Sequence, residues 1–157
     1  MLEKRNVLET FIKAQEEKIE RLKQSSKSTQ QSAREAVGSM VSWSDTTKFQ
    51  QSNLALRLKI RVEEIREKIK LLKSLVFNLA PTNTISIGAL FSLRDINTGE
   101  VITYFLVQRG EGDFVEIDGQ EVIFISVTAP IVKVVIGKKK SDMVSFRDRV
   151  LEIVEVQ

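Results

Sequence analysis

The sequence predicts an α+β protein in two parts, a long antiparallel helical hairpin (coiled coil) followed by a small β-rich domain with one short helix. Three observations carry that prediction. Apolar residues recur at steps of three and four through the first half, the pattern breaks at Pro81, and the text beyond it is β-branched, alternating and punctuated by glycine.

The clearest helical signal lies in the second segment, where Ala55, Leu58, Val62, Ile65, Ile69, Leu72, Val76 and Leu79 form a continuous coiled-coil seam. The N-terminal segment carries a weaker version on Leu8, Ile12, Ile19 and Leu22, resumed at Ala33, Ala36 and Met40. Between the two parts of that stripe lies the polar run SSKSTQQS, residues 25–32. It reads as continuous but frayed helix, because few apolar contacts resist local opening. In GSMVSWSDTTKF, Gly38, Ser42 and Ser44 weaken the helix, and Ser44 or Asp45 suits the N-cap of the next one. The expected arrangement is a finger over residues 1–79 with its tip near 38–46. At about 1.5 Å per residue, a helix from Asp45 to Leu79 is about 50 Å long, more than a compact domain of this size needs, so the hairpin is expected to project. Seam periodicity alone fits a dimeric coiled coil as well as an intrachain pair.

A linker at 80–85 leads into a second domain at 86–157. Strands are expected near Ala89–Asp95, Val101–Val107, Val122–Val127 and Val150–Val156, with a hairpin turn at Asn97-Thr98-Gly99. A short helix fits Ala129–Ile136, where Pro130 suits the first turn and Gly137 suits a left-handed C-terminal position. Asp113, Glu116, Asp118 and Glu121 read as an acidic, solvated loop whose spacing does not match an EF-hand, and no metal is expected there.

Composition narrows the function classes. With no Cys and no His, the chain has no thiolate nucleophile, imidazole base, Cys/His zinc site or disulfide. No Gly-rich phosphate loop and no nucleophile paired with a base stands out, so an enzyme is the least expected class. The charged N-terminus lacks the apolar run of a signal peptide, and no membrane span is present, which makes a cytoplasmic location the expectation. Charge is unevenly spread. Residues 1–80 hold 16 Lys and Arg against 10 Asp and Glu, a net of +6, whereas residues 81–157 hold 8 against 11, a net of −3. Such a split suits a basic arm that approaches nucleic acid or an acidic channel, and it suits equally a solvated lysine-rich surface.

The run Ser126-Val127-Thr128-Ala129-Pro130-Ile131-Val132-Lys133-Val134-Val135-Ile136-Gly137-Lys138-Lys139, followed by Asp142 and Val144, resembles the C-terminal signature of the GreA/GreB transcript cleavage factors. Gly88, Val101-Ile102-Thr103-Tyr104, Gly110-Glu111 and the closing Leu151-Glu152-Ile153 follow in the family's order, so the resemblance covers residues 85–157. It implies an FK506-binding-protein-like (FKBP-like) domain docked beside the secondary channel of bacterial RNA polymerase, with Ser126, Pro130, Ile136, Gly137, Lys138 and Asp142 as polymerase-binding residues. It further implies a monomer that is no enzyme itself and whose finger tip reaches the nascent RNA 3′ end, with DNA nearby. In that picture the tip stimulates the polymerase's own RNA cleavage by helping to hold a Mg²⁺ shared with its active centre, and the free protein carries no cofactor.

At the tip the sequence departs from the family. Where those factors carry aspartate-leucine-serine-glutamate, this chain has Ser42-Trp43-Ser44-Asp45, so one carboxylate, Asp45, remains of two. Asp45 is the metal-assisting candidate, flanked by Ser42 and Ser44, and it equally suits an N-cap. Trp43 and Phe49 are candidate stacking platforms for an RNA base or, alternatively, packing residues that close the hairpin. Arg57, Lys59 and Arg61 are candidate phosphate contacts or a solvated charged face. The expected function is an elongation regulator acting on paused or backtracked complexes. The alternatives are a channel-occupying inhibitor that does not stimulate cleavage and, from another class, a dimeric coiled-coil adaptor.

Overall fold

A computed structural model describes residues 2–35, 44–77, 82–110 and 112–157; within these, the side chains at 30, 32–35, 44–48, 51 and 77 lie outside the description. The chain is α+β. Two long helices, α1 (Lys4–Glu35) and α2 (Ser44–Phe77), precede strands β1 (Leu90–Asp95), β2 (Val101–Val107), β3 (Phe114–Ile117) and β4 (Gln120–Ser126). A one-turn helix α3 (Val132–Val135) and strands β5 (Met143–Phe146) and β6 (Arg149–Val156) complete it.

The seam expected on α2 is the buried face: Ala55, Val62, Ile65, Ile69 and Leu72 are buried and Leu58 and Val76 half-buried. On α1 the matching stripe is Leu8, Ile12, Gln15 and Ile19, all buried. The polar run within α1 stays helical as expected. Ser28 Oγ and Thr29 Oγ1 both donate to the Ser25 carbonyl, at 2.9 Å each, so the hydroxyls are satisfied without breaking the backbone ladder. The expected tip falls mostly at 36–43, outside the described residues.

The chain divides into two compact units, and the division runs through both long helices. Residues 13–70 form one, and residues 1–12 with 71–157 form the other. The start of α1 thus belongs with the end of α2, while Glu20, farther along α1, lies within electrostatic reach of Arg66. The helices therefore run antiparallel. In the helical unit Gln15 is 4% exposed, and its Oε1 has no hydrogen-bond partner among the described residues. A polar atom so placed costs free energy with nothing in return from bonding.

In the other unit a six-stranded sheet has the order β3-β4-β2-β1-β6-β5. All neighbours are antiparallel except β2 and β4, where Phe105 pairs with Phe124 in parallel register. Successive strand residues face opposite ways, and both faces are covered. On one, Ile125, Leu93, Leu106 and Ile153 pack with Val132 and Val135 of α3 and with Ile85. On the other, the Phe124 ring stacks on Phe11 of α1 at 3.6 Å between centroids and on Phe105 at 5.2 Å. Val7, Leu8 and Phe11 are fully buried. The expected finger of residues 1–79 thus contributes its first turns to the sheet's own core.

Two strands run where none is expected. The acidic segment read as a loop is β3, which pairs with β4 from Phe114–Ile123 to Ile117–Gln120 and buries Val115 and Ile117. Asp118 and Gly119 take φ of 52° and 75°, the left-handed pair that a two-residue hairpin turn requires, so Glu116 points outward from β3, Asp118 sits in the turn and Glu121 points outward from β4. β5 returns to β6 through Arg147 and Asp148 with φ of 49° at Arg147, a tight turn written without glycine or asparagine. The helix expected over Ala129–Ile136 is shorter, a single turn preceded by turns through Pro130, because Ser126 bonds the chain leaving β4 before helix can start. Gly137 takes φ of 76° as expected.

Two outcomes test these packing assignments. Phe11→Ala is expected to lower unfolding free energy by about 3–5 kcal/mol in urea titration, the cost of a buried aromatic truncation; a change below about 1 kcal/mol is incompatible with a closing stack. Gln15→Leu is expected to raise stability by roughly 1–2 kcal/mol, since it removes an unsatisfied buried acceptor and extends the apolar seam.

Candidate functional site

The candidate residues fall into two groups. The first lies at the start of α2. Ser44 and Asp45 are its first two residues, their side chains lying outside the description, and Ser42 and Trp43 lie outside the described residues altogether. Phe49 is 69% exposed, which does not fit a packing residue closing the hairpin, and nearby Leu54 is also exposed. Arg57 and Lys59 are exposed, while Arg61 is half-exposed and paired with Glu64 at 3.1 Å. One helical turn separates Arg57 from Arg61, which places them on one side; Lys59 falls on the other. The three cations therefore do not form a single phosphate-facing row.

The second group lies between β4 and β5. Ser126 Oγ contacts Thr128 Oγ1 at 2.9 Å and accepts from the Thr128 amide at 3.2 Å, which turns the chain out of the sheet. Gly137 donates its amide to the Ile85 carbonyl and Lys138 accepts from the Ile85 amide, both at 2.8 Å. These bonds, with the Thr84–Lys139 bridge, staple the chain entering the domain beside the end of α3. Asp142 Oδ2 accepts from the Lys139 amide at 2.9 Å, which fixes the turn into β5. Three of the six signature residues thus spend their polar groups or backbone freedom on loop geometry. Pro130, Ile136 and Lys138 present exposed side chains, with Ile136 50% exposed.

Beside Ile131 the sheet has a hollow of about 320 Å³ floored by Leu93, Ile102 and Tyr104 and rimmed by Asp95, Arg147 and Arg149. Sequence reading missed Asp95 as an organiser of this rim. It is 4% exposed, its Oδ1 accepts from the amides of Asn97 at 2.8 Å and Thr98 at 3.3 Å, and its Oδ2 lies 3.6 Å from Arg149 Nη1. An aspartate just before Asn-Thr-Gly is the available signal, since its side chain can cap the turn that follows. Burial, with a smaller contribution from the Glu100 carboxylate, pushes the Tyr104 phenol above its ordinary value of 10.0.

Among the described residues no three His, Cys, Asp or Glu side chains gather in a way that could hold a metal ion. No helix among them is long and apolar enough to cross a membrane. Fold and candidate residues together present a pair of long helices, a six-stranded sheet and a few exposed side chains of the C-terminal run.

Residues 80–157 match the family described as transcription elongation factor, GreA/GreB, C-terminal. This stretch, residues 80–157, is thus a GreA/GreB C-terminal domain. Among curated relatives, transcription elongation factor GreA of Methylococcus capsulatus is 33% identical over 102 residues, which cover 62% of this chain and 61% of the relative. The chain thus spans under two thirds of that relative's length. Two solved structures are similar at low level. The transcription factor Gfh1 shares 18% identity over 93% of this chain and 92% of its own, with a TM-score of 0.40. The elongation factor GreA/GreB from Nitrosomonas europaea shares 19% over 64% and 91%, with a TM-score of 0.36.

Tyr104 reports on the hollow directly, because it is the chain's one tyrosine. Below the unfolded value both states hold a neutral phenol, so its contribution to stability is complete. It is lost as pH rises through the higher folded value, where the unfolded phenol ionises more readily. Absorbance titration is expected to show tyrosinate forming at higher pH in the native protein than in denaturant; coincident curves contradict the buried placement.

Proposed function

We propose that this chain is an elongation regulator of bacterial RNA polymerase that binds beside the secondary channel and acts on paused or backtracked complexes. The observation that carries the reading is the GreA/GreB C-terminal domain at residues 80–157 preceded by an antiparallel pair of long helices. The sheet unit supplies affinity through the exposed part of the signature, Pro130, Ile136 and Lys138. The start of α2 acts near the nascent RNA 3′ end. The protein performs no chemistry of its own on this reading.

Whether cleavage is stimulated turns on Asp45. A lone carboxylate supplies one ligand of a Mg²⁺ ion, and polymerase, phosphate oxygens and water would provide the others. A cation held there would help activate water against the transcript phosphodiester. Asp is one methylene shorter than Glu, and a displacement of about 1 Å costs on the order of a hundredfold where catalysis rests on positioning. Ser42, standing where the family places its first carboxylate, favours a second reading in which the chain occupies the channel and competes with true cleavage factors.

Cleavage in a stalled, backtracked complex with cognate polymerase and Mg²⁺ separates these. Slow cleavage by the native protein, abolished in Asp45→Ala and raised at least tenfold in Ser42→Asp, is the expected result. Tight binding with no cleavage by either native protein or Ser42→Asp makes the chain a channel occupant. Failure to bind polymerase sinks both readings and leaves the dimeric adaptor.

A further inference from the structure

The two long helices differ in what they expose. Every exposed side chain described on α1 is polar or charged. On α2, Phe49, Leu56 and Ile60 are 69%, 56% and 52% exposed. At about 100° per residue these three fall within roughly 40° of one another, on the side of the helix roughly opposite the buried seam of Ala55, Val62, Ile65 and Ile69. Scattered exposed apolar residues need no explanation, but three aligned on a face that the helical pair leaves open do.

Charge around the stripe is one-sided. Residues 46–62 contain four basic residues and no acidic one. Arg57 and Lys59, both exposed, flank the stripe on opposite sides. Acidic residues return only at Glu63 and Glu64, which are ion-paired with Arg66 and Arg61. A second copy of the chain would bring two basic borders together around the stripe. Nucleic acid would satisfy the borders but leave Leu56 and Ile60 against phosphate and sugar, since aliphatic side chains offer no stacking face. An apolar protein surface bordered by carboxylates satisfies both.

We propose that Phe49, Leu56 and Ile60, bordered by Arg57 and Lys59, form a docking stripe for an apolar, carboxylate-rimmed protein surface on RNA polymerase. This rests on the elongation-regulator reading and adds to it a specific contact on α2, separate from the sheet unit and from Asp45. The stripe supplies the apolar area, and its basic borders steer encounter and fix register. The contact therefore depends on salt more steeply than aliphatic burial alone would.

The test uses the full chain and cognate core polymerase free of nucleic acid. Leu56→Gln/Ile60→Gln leaves the buried seam untouched and is expected to keep native circular dichroism and thermal midpoint while weakening core binding at least tenfold. Arg57→Gln/Lys59→Gln is expected to flatten the salt dependence of binding. Because the chain has no cysteine, Leu56→Cys carries a single photocrosslinker, expected to join a polymerase subunit. Unchanged core binding by Leu56→Gln/Ile60→Gln overturns the stripe while leaving the regulator reading intact. A native dimer that this variant dissolves makes a second copy the occupant, and a crosslink to RNA alone makes it nucleic acid; either overturns the proposal. If the native chain does not bind core polymerase, the regulator reading fails and the stripe's assigned partner fails with it.

Discussion

The stack of Phe11 on Phe124 is the contact on which the sheet unit depends. Phe124 lies in β4 and stacks also on Phe105 of β2, so one ring from α1 covers the joint between two parallel strands. Remove that cover and a face carrying two phenylalanines is left to water. A domain of fewer than a hundred residues buries a small share of its surface and has little stability in reserve. The residues matched as the GreA/GreB C-terminal domain begin at 80, yet the compact unit that holds the sheet also takes in residues 1–12 and 71–79. Family boundary and packing boundary differ because the family's sequence signature lies on loops and strands, whereas this closing contact is supplied from the far end of the chain.

That cover was legible in part. Val7-Leu8 and Phe11-Ile12 are adjacent apolar pairs, and a helix with such pairs one turn apart has an apolar arc wide enough for two neighbours. Reading only Leu8 and Ile12 as seam assigned one neighbour and left Val7 and Phe11 unexplained. The α2 seam was legible in full over the described residues, since eight positions in three-four alternation admit few other readings. β1, β2, β4 and β6 were legible from β-branched runs between turn residues. β3 was obscured by its acids, although Asp118-Gly119 between alternating residues is a strong hairpin signal. Nothing in Arg147-Asp148 announces the turn between β5 and β6, which relies on backbone strain tolerated at φ of 49° rather than on a permissive residue.

The site was legible at the level of its family and less so in the division of labour. Ser126, Gly137 and Asp142 carry the resemblance, and each turns out to shape the backbone: one turns the chain out of β4, one closes α3 against Ile85, one fixes the entry to β5. Such residues recur in a pattern because alternatives would distort a loop, whether or not they touch a partner. The residues available for contact are their neighbours Pro130, Ile136 and Lys138, whose side chains have no such internal task. A signature read from sequence mixes the two kinds, and burial with hydrogen bonding separates them.

The same separation applies along α2. A helix in a two-helix pair needs one apolar face, and the seam from Ala55 to Leu72 provides it. Phe49, Leu56 and Ile60 add a second face that contributes nothing to the pairing and carries the ordinary penalty of apolar surface in water. Among its described side chains α1 turns only polar residues outward, so pairing itself does not impose such a face. The difference between the helices therefore points outside the pair, and the acid-free stretch around the stripe gives that outside partner a sign. Read this way, the departure at the tip and the extra apolar face are separable changes. On the proposed reading the first would alter what chemistry the end of the hairpin can assist and the second how firmly α2 is held, a combination suited to staying bound.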